Sequence, residues 1–328
     1  MLKILIISDS KAGHENISLG LANYIQSKQD TEIVKIFVKK RLKIFNKIGK
    51  FICNNISINK KAIIILNKIF YSDFKFNYNI DIDLIISTGG DTTIANILLS
   101  KYYKKPNVFC SSLRGFNSNL FTFLVSIITN GYKNEIVVDL PPLNIKKDPK
   151  TLTGRYISLL IGGATKNHKF TNSEFINLVE NMIYLARQFD YKLFLSTSRR
   201  TPTEVENQIQ ILVDNNSDIF ERVVLFNKKP EKVINYYFSN SDVIFVTEDS
   251  GSMISEAILS EKQVYSIRPK ICNLDLIFNN FIINLTNKDL LKIKNIDDLK
   301  NINLSINSFN KLNMNPSEII YNKIKEVI

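Results

Sequence analysis

The chain has 328 residues, 45% of them hydrophobic, and carries a formal net charge of +12. This length favours two domains, and the apolar content is sufficient for packed cores, which excludes a disordered protein. No stretch reaches the roughly 18 consecutive apolar residues of a membrane span. The first run, MLKILIISDS, lacks the small-residue cleavage site of a signal peptide. We therefore expect a cytoplasmic protein.

The positive charge is compatible with an anionic partner, such as a phosphorylated small molecule or an acidic membrane surface. No binding module accompanies the charge, so we expect no nucleic acid. The three cysteines, Cys53, Cys110 and Cys272, fit neither a disulfide framework nor a C-x-x-C motif, and we interpret them as small buried side chains. With only two histidines, His14 and His168, a histidine-rich metal site is excluded, and we expect no metal and no cofactor.

Short apolar runs alternate with helix-length amphipathic segments along the first half. The predicted strands are 3–8, 32–38, 83–87, 107–110 and 135–139. The predicted helices are 16–27, 60–71 and 92–102. Strands that alternate with helices favour a parallel sheet built from right-handed crossovers.

A segment rich in Pro and Lys, residues 140–154, has no useful period and is interpreted as an interdomain linker. The alternation then restarts. Strands are predicted at 156–161, 192–196, 222–226, 242–247 and 263–267, and helices at 173–189, 203–215, 230–239, 252–260 and 316–328. This pattern predicts an α/β chain of two Rossmann-like domains, 1–148 and 149–328, whose last helix packs back on the first domain.

In such sheets, ligands bind where strands end and loops lead into helices. The loop after the first predicted strand contains Gly13, which allows a tight turn, followed by His14 and Glu15. Either of these two side chains is a candidate base toward an acceptor hydroxyl. The alternative is a simple helix cap. Another loop, Ser87 to Thr93, contains Gly89 and Gly90 and either lines the cleft or only caps its helix.

Three loops of the second half carry the candidate nucleotide-binding residues. The first two supply glycines, hydroxyls and cations: Gly162, Gly163, Thr165 and Lys166, then Ser198, Arg199 and Arg200. Backbone amides and guanidinium groups at helix N-termini favour a phosphate. The alternatives are a strand-ending turn and a solvated basic face.

The third loop opens a helix with small residues that are suited to a diphosphate. Its candidate residues are Glu248, Asp249, Ser250, Gly251, Ser252 and Glu256. Because Glu248 and Asp249 repel phosphate, we expect them to face sugar hydroxyls. Glu256 lies one turn beyond Ser252 and is a candidate acceptor for ribose hydroxyls. The alternative is an ordinary cap and helix.

The segment 34–52 interleaves Ile, Phe and Leu with lysines. A basic amphipathic stretch of this kind is typical of a helix that lies on an anionic membrane surface. A strand and a helix with a lysine-rich outer face explain it equally well.

Four segments carry a resemblance to a known family: KAGHENISLGLA, LLIGGATKNHKFT, STSRRTP and VTEDSGSMISEA with the later QVYSI. Together they resemble the bacterial branch of the mitochondrial-fission Elm family, whose bacterial members look like GT-B glycosyltransferases. The resemblance is close over residues 156–267 and at the first loop. It implies parallel sheets that face a cleft. The SGSMISEA turn is also similar to the donor-binding turn of lipid-linked amino-sugar transferases, which implies that Glu256 holds the ribose.

These resemblances imply a metal-independent glycosyltransferase that takes a sugar from a nucleoside-diphosphate sugar to an envelope or lipid-linked glycan. The donor is expected on the second domain and the acceptor on the first. A location at the inner face of the membrane would suit such an acceptor. Two alternatives stay open: a non-catalytic scaffold that recruits partners to a membrane, and a nucleotide-sugar epimerase.

Overall fold

A computed structural model describes residues 1–42, 44–72, 74–304 and 309–328. The chain divides into two compact units. The first consists of Met1–Asn144 together with Met314–Ile328, and the second of Ile145–Asn313. Each unit has its own six-stranded sheet, in which all neighbouring strands are parallel. The expected α/β class with two Rossmann-like parallel sheets is therefore confirmed.

The sheet of the first unit has the strand order β2-β1-β5-β6-β7-β8. Its strands are β1 (Leu2–Ser8), β2 (Thr31–Phe37), β5 (Leu84–Ser87), β6 (Asn107–Phe109), β7 (Phe123–Ser126) and β8 (Glu135–Val137). Two short strands, β3 (Lys39–Lys40) and β4 (Tyr71–Ser72), form a separate antiparallel pair.

Helices cover the sheet of the first unit. They are α1 (Ala12–Gln26), α2 (Phe45–Asn55), α3 (Lys60–Phe70), α4 (Thr93–Tyr103) and the last helix of the chain, α10 (Pro316–Ile324). The sequence sets several of their ends. Asn59 caps α3 by accepting from the Ala62 amide, and Asn315 caps α10 just before Pro316 at the first helical position.

The core of the first unit follows the two-residue period of β1. Ile4 and Ile6 belong to one apolar cluster, which also contains residues of α1 and α10. Leu5 and Ile7 belong to a second cluster, which contains residues of α2, α3 and α4. Because successive side chains of a strand point to opposite faces, β1 is buried on both sides, as is typical of a central parallel strand.

The sheet of the second unit has the order β11-β10-β9-β12-β13-β14. Its strands are β9 (Tyr156–Leu160), β10 (Lys192–Ser196), β11 (Phe220–Val224), β12 (Val243–Thr247), β13 (Gln263–Arg268) and β14 (Lys292–Asn295). Its helices are α5 (Asn172–Gln188), α6 (Thr203–Asn215), α7 (Ile234–Asn240), α8 (Gly251–Leu259) and α9 (Leu276–Asn287). The start of α5 is fixed by a reciprocal capping box between Thr171 and Glu174.

Each predicted strand and helix is confirmed, with ends that shift by a few residues. Short or weakly patterned elements were missed: β3, β4, β7, β14 and α9. Of these, α9 and β14 lie in the Asn- and Lys-rich region after residue 273, where charged and amide side chains obscure the periodicity. Among the described helices, none combines the length and apolar character needed to cross a bilayer.

Candidate functional site

Three candidate loops of the second unit leave neighbouring strands. Strands β10, β9 and β12 are consecutive in the sheet, with β9 at the centre. Parallel neighbours end at the same edge of a sheet, so the loops that follow them lie side by side. The candidate residues of the second unit are therefore brought together at one edge.

Hydrogen bonds from the neighbouring loops converge on Gly162. Its carbonyl oxygen accepts from the hydroxyls of Ser198, at 2.9 Å, and Thr201, at 2.6 Å. Its amide donates to Oγ1 of Thr247 at the end of β12, at 2.7 Å. The loop after β9 is thus joined on one side to β10 and on the other to β12.

The two glycines are required because protein atoms fill the space beside them. A Cβ at Gly162 would lie 2.2 Å from Oδ2 of Asp249, and one at Gly163 would lie 2.3 Å from the carbonyl oxygen of Arg200. The sequence suggested that these glycines let a ligand approach the backbone. In the structure, the groups that approach them belong to the adjoining loops.

The carboxylate of Asp249 occupies the position expected for an anionic ligand. It is fully buried, accepts from the amide of Gly163 at 3.2 Å and pairs with Nη2 of Arg200 at 2.5 Å. Burial raises the pKa of Asp249, although the Thr247 hydroxyl, Arg200 and the Gly163 amide oppose the rise. The Gly163 amide and Arg200, which we expected to hold a diphosphate, are therefore engaged by the protein itself.

Two other candidate side chains at this edge stay available. Lys166 and Arg199 are exposed, and within the described part of the chain neither forms a hydrogen bond or an ion pair. Ser250 caps α8 by accepting from the Met253 amide. The first amides of α8, at Gly251 and Ser252, begin this helix, and Glu256 is half-buried one turn further on. A helix N-terminus with cations on the adjoining loops is a suitable setting for a phosphate.

Two hydroxyls of the predicted site are used for local structure. Oγ of Ser198 donates to the Gly162 carbonyl, as described above. Oγ1 of Thr165 accepts from the amide of His168 and closes a tight turn. Both residues position the loops.

Glu248 does not face solvent, where a sugar hydroxyl would meet it. Its carboxylate is fully buried, and Oε1 accepts from Nε of Arg268 at 2.8 Å and lies 3.2 Å from Nε2 of His168. The thiol of Cys272 points to the same oxygen at 3.7 Å. Burial acts to raise the pKa of Glu248, but hydrogen bonds from His168 and Arg268 outweigh it and lower the pKa.

Sequence reasoning missed this second group of residues. Cys272 was interpreted as a small buried side chain but is half-exposed, His168 was used only to exclude a histidine-rich site, and Arg268 was not considered. His168 lies 80 residues before Glu248, and Cys272 lies 24 after it, so no local motif joins them. An antiparallel bridge between His168 and Cys272 brings the two segments together. Arg268 and Cys272 also line a polar hollow of about 800 Å³ beyond β13 and β14.

In the first unit, the second half of the loop that was predicted after β1 is part of a helix. We expected a turn at Gly13 and a helix from residue 16, but α1 begins at Ala12. Gly13, His14 and Glu15 thus lie in its first turn. Nothing lies within 4 Å of a Cβ built at Gly13, so neither a turn nor a close contact requires glycine there.

His14 is held by a buried carboxylate that directly follows β1. Nδ1 of His14 lies 2.9 Å from Oδ2 of Asp9, whose side chain is only 3% exposed. The imidazole packs against Gly89, where a Cβ would lie 2.2 Å from Nδ1. With Nδ1 directed to Asp9, Nε2 is the nitrogen left for a proton acceptor role.

Glu15 is engaged in contacts that disfavour a role as base. Its carboxylate accepts from Nζ of Lys35 at 2.7 Å and from the hydroxyl of Ser8 at 2.9 Å. The hydrogen bond from Lys35 lowers the pKa of Glu15, against the effect of burial and with help from Ser8. Of the two predicted bases, the geometry favours His14.

A cluster of charges lies beside His14. Asp91 pairs with Lys11 at 2.9 Å and with Lys40 at 3.5 Å, and the Lys40 side chain is only 7% exposed. Lys40 and Asp91 line a hollow of about 560 Å³ that also includes Asp9 and Ser10. Burial lowers the pKa of Lys40, although Asp91 opposes the change. Asp91 belongs to the loop that contains Gly89 and Gly90. This loop therefore places a charged side chain in the lining of the hollow and is more than a helix cap.

The basic segment 34–52 forms part of β2, β3 and α2, with residue 43 outside the described residues. Gly49 and Cys53 are buried, so the face of α2 that carries them packs against the core. The opposite face is exposed and apolar: Ile44 is 59% exposed, Ile48 43% and Phe51 63%. Their spacing of four and three residues places them in one stripe. We call these three side chains the α2 stripe.

Comparison with known proteins finds a family model that is similar to most of the second unit. Residues 142–295 match the family model described as mitochondrial fission ELM1. A search of curated protein sequences finds no match.

Comparison with solved structures gives the fold. The chain is similar to MnaA of S. aureus in complex with UDP, with a TM-score of 0.58, 13% identity and coverage of 100% of this chain and 98% of that one. It is similar to UDP-GlcNAc 2-epimerase of Methanocaldococcus jannaschii, with a TM-score of 0.56, 12% identity and 99% coverage of both. The glycotransferase of kitacinnamycin has a TM-score of 0.52 and 9% identity, with coverage of 99% and 94%. The chain therefore has the GT-B type of fold, and its residues 142–295 resemble the mitochondrial fission ELM1 family.

Proposed function

We propose that the chain is a glycosyltransferase that moves a sugar from a nucleoside-diphosphate sugar to an envelope or lipid-linked glycan. The observation that carries the proposal is the convergence of the loops after β9, β10 and β12 around the N-terminus of α8. Lys166 and Arg199 are exposed on two of these loops. As the sugar leaves, negative charge develops on the diphosphate, and a helix N-terminus with nearby cations stabilises it.

The ion pair of Arg200 and Asp249 gives this edge its rigidity. Because Asp249 neutralises Arg200, the positive charge offered to a ligand comes from Lys166, Arg199 and the α8 amides. Glu256, one turn into α8, accepts from the ribose hydroxyls. Preorganised donors of this kind need little rearrangement when the charge appears.

On the acceptor side, His14 acts as the base. The acceptor hydroxyl gives its proton to Nε2 of His14, its oxygen bonds to the anomeric carbon, and the nucleoside diphosphate leaves with the electron pair of the broken bond. Asp9 orients the imidazole through Nδ1 and stabilises the imidazolium that forms. Glu15 is assigned no part in this step, since the hydrogen bond from Lys35 lowers its pKa and makes its carboxylate a weaker proton acceptor.

The α2 stripe supports an acceptor carried by a membrane. Lys47 in α2 is exposed, as are Lys39 and Arg41 in the segment before it. Apolar side chains enter the headgroup region while lysines meet anionic lipid, so the first unit lies on the inner face of a membrane where a lipid-linked glycan is available.

A donor screen tests the proposal. Nucleotides and nucleotide sugars with uracil, adenine or cytosine bases are added to the chain, and binding is followed by thermal shift and saturation-transfer NMR. We expect one class of nucleotide to bind and to lose affinity in Arg199→Ala and Glu256→Ala. The control is Arg187→Ala, which removes an exposed arginine that pairs with Asp218 on the surface. Tight binding that neither change affects would refute this placement of the pocket.

Two of the similar structures have names that refer to UDP or to a UDP-GlcNAc 2-epimerase, so epimerisation is the second candidate. An epimerase converts the donor without any acceptor. In a coupled assay, conversion of the sugar nucleotide by the chain alone would favour it, whereas a transferase only hydrolyses its donor slowly. A chain that binds no nucleotide at all would favour the non-catalytic scaffold.

A further inference from the structure

Three side chains with different donor atoms meet at the carboxyl ends of β12 and β13. Nε2 of His168, a carboxylate oxygen of Glu248 and Sγ of Cys272 all lie within 4.8 Å of one another. The side chains of His168 and Glu248 are 4% and 0% exposed. Nitrogen, oxygen and sulfur are the ligand atoms that Zn²⁺ takes in proteins. We propose that this cluster binds one transition-metal ion of the zinc class.

The two oxygens of Glu248 have different surroundings. Oε1 accepts from Nε of Arg268 and lies near His168 and Cys272. Oε2 is buried and has no hydrogen-bond partner among the described residues. A buried carboxylate oxygen without a partner is unfavourable. An ion bound by both oxygens of the carboxylate provides that partner, while Arg268 keeps its hydrogen bond to Oε1 and orients the carboxylate.

The surroundings of His168 orient its ring for a metal. Nδ1 lies 3.4 Å from the hydroxyl of Thr165, and the ring of Phe278 packs edge-on at a centroid distance of 5.4 Å. When Nδ1 carries the proton and points to Thr165, Nε2 presents its lone pair to the ion. A metal-bound histidine generally donates its other ring nitrogen to a neighbouring oxygen in this manner.

The separations suit a small ion. Around a tetrahedral zinc, ligand atoms lie roughly 3.3–3.8 Å apart, from bond lengths of about 2.0–2.3 Å. The observed distances are 3.2 Å from Nε2 of His168 to Oε1 of Glu248 and 3.7 Å from Sγ of Cys272 to the same oxygen. On binding, the thiol of Cys272 releases its proton to solvent. The thiolate and carboxylate then balance the charge of a divalent ion.

An entry path exists on the side of Cys272. This residue is half-exposed and lines the hollow of about 800 Å³ with Arg268 and the acidic residues Asp297 and Asp298. Because three side chains supply the protein ligands, water from this hollow completes the coordination of the ion. An ion here joins the turn after β9, the end of β12 and the segment after β13, directly beside Asp249. The inference does not depend on the proposed glycosyl transfer.

The test uses the full chain without a histidine tag, after treatment with a chelator. Co²⁺ is titrated and followed by absorption, since a thiolate ligand gives a charge-transfer band and a tetrahedral site gives intense visible bands. We expect one Co²⁺ per chain, displaced by Zn²⁺. Cys272→Ser should lose the charge-transfer band, whereas Cys53→Ser, which changes a buried cysteine of the first unit, should keep it.

A second variant tests the orienting contact. Thr165→Val should weaken Co²⁺ binding by roughly 10- to 100-fold, the cost of removing an outer-shell partner of a metal-bound histidine. Far-UV circular dichroism establishes that each variant is folded. If Cys272→Ser does not fold, the proposal is tested by whether the unmodified chain shows the thiolate charge-transfer band with Co²⁺. Absence of that band in the unmodified chain, or a band that survives in folded Cys272→Ser, overturns the proposal.

Discussion

Oδ2 of Asp9 lies 2.9 Å from Nδ1 of His14, so a buried carboxylate at the end of β1 fixes the imidazole in the first turn of α1. This relationship separates the two predicted bases, because Glu15 is bound to Lys35 and Ser8 instead.

The first prediction concerns the base. If His14 accepts the proton of the acceptor hydroxyl, His14→Ala should reduce the transfer rate by about 10²- to 10⁴-fold, the usual contribution of a general base. Asp9→Asn should also reduce kcat, since the imidazole loses its orientation. Glu15→Gln is the control and should change kcat little. The rates are measured with the donor found in the nucleotide screen, and a larger loss in Glu15→Gln than in His14→Ala would reverse the assignment.

The second prediction compares two glycines near His14. Gly89 has a φ of +92°, and a Cβ there would meet His14, so Gly89→Ala should lower the free energy of unfolding by about 1–3 kcal/mol. Gly13→Ala should instead raise it by about 0.4–1 kcal/mol, because Ala restricts the unfolded chain and fits the helix. Urea unfolding measures both. Equal effects in the two variants would show that Gly89 is not under this constraint.

The third prediction tests the link between the loops of the second unit. Asp249→Ala leaves the Gly163 amide and Arg200 without their acceptor, which should cost about 1–3 kcal/mol of unfolding free energy. The control, Asp218→Ala, removes an exposed pair with Arg187 and should cost less than about 1 kcal/mol. Chemical denaturation gives both values. Similar losses would mean that the buried pair contributes no more to the free energy of unfolding than a surface pair does.

The fourth prediction is a pH dependence in the first unit. Burial acts to raise the pKa of Asp91, but Lys11 and Lys40 outweigh it and hold the pKa below its ordinary value of 3.8. The stabilisation from Asp91 is therefore present above 3.8 and is lost as the pH falls through the lower pKa of the folded state. Asp91→Asn should be less stable at neutral pH and should show a shallower loss of stability on acidification.

Unfolding free energies across this acid range measure the difference. The matched control is Asp218→Asn, since Asp218 pairs with Arg187 while both side chains are largely exposed. A slope that is unchanged in Asp91→Asn would contradict the assigned role of Lys11 and Lys40.

The fifth prediction concerns the α2 stripe. Ile48→Ser and Phe51→Ser should each weaken binding to anionic vesicles, by roughly tenfold if about 1.4 kcal/mol of apolar transfer is lost. Ile211→Ser, at a residue 60% exposed on α6, is the control. Vesicle sedimentation at low and high salt measures the partition. Equal binding of all variants, or no preference for anionic over neutral vesicles, would contradict the proposed contact between the α2 stripe and a membrane.

The sequence by itself determined the class of fold and the positions of the loops that follow the strands. Runs such as LKILIIS and VIFVT are apolar and short, and helix-length segments separate them, so the α/β pattern follows from periodicity. Polar and glycine residues after these runs marked the loops. Local chemistry also fixed several helix ends, as in the capping box at Thr171.

Only the tertiary structure decided which side chains meet. Asp249 contacts Gly163, and Glu248 contacts His168, because β12 lies beside β9 in the sheet. Periodicity gives each strand a face and a length but does not specify its neighbour, so contacts across about 80 residues depend on strand order. For the same reason, the core-facing side of α2 was decided by its packing, which left Ile44, Ile48 and Phe51 on the surface.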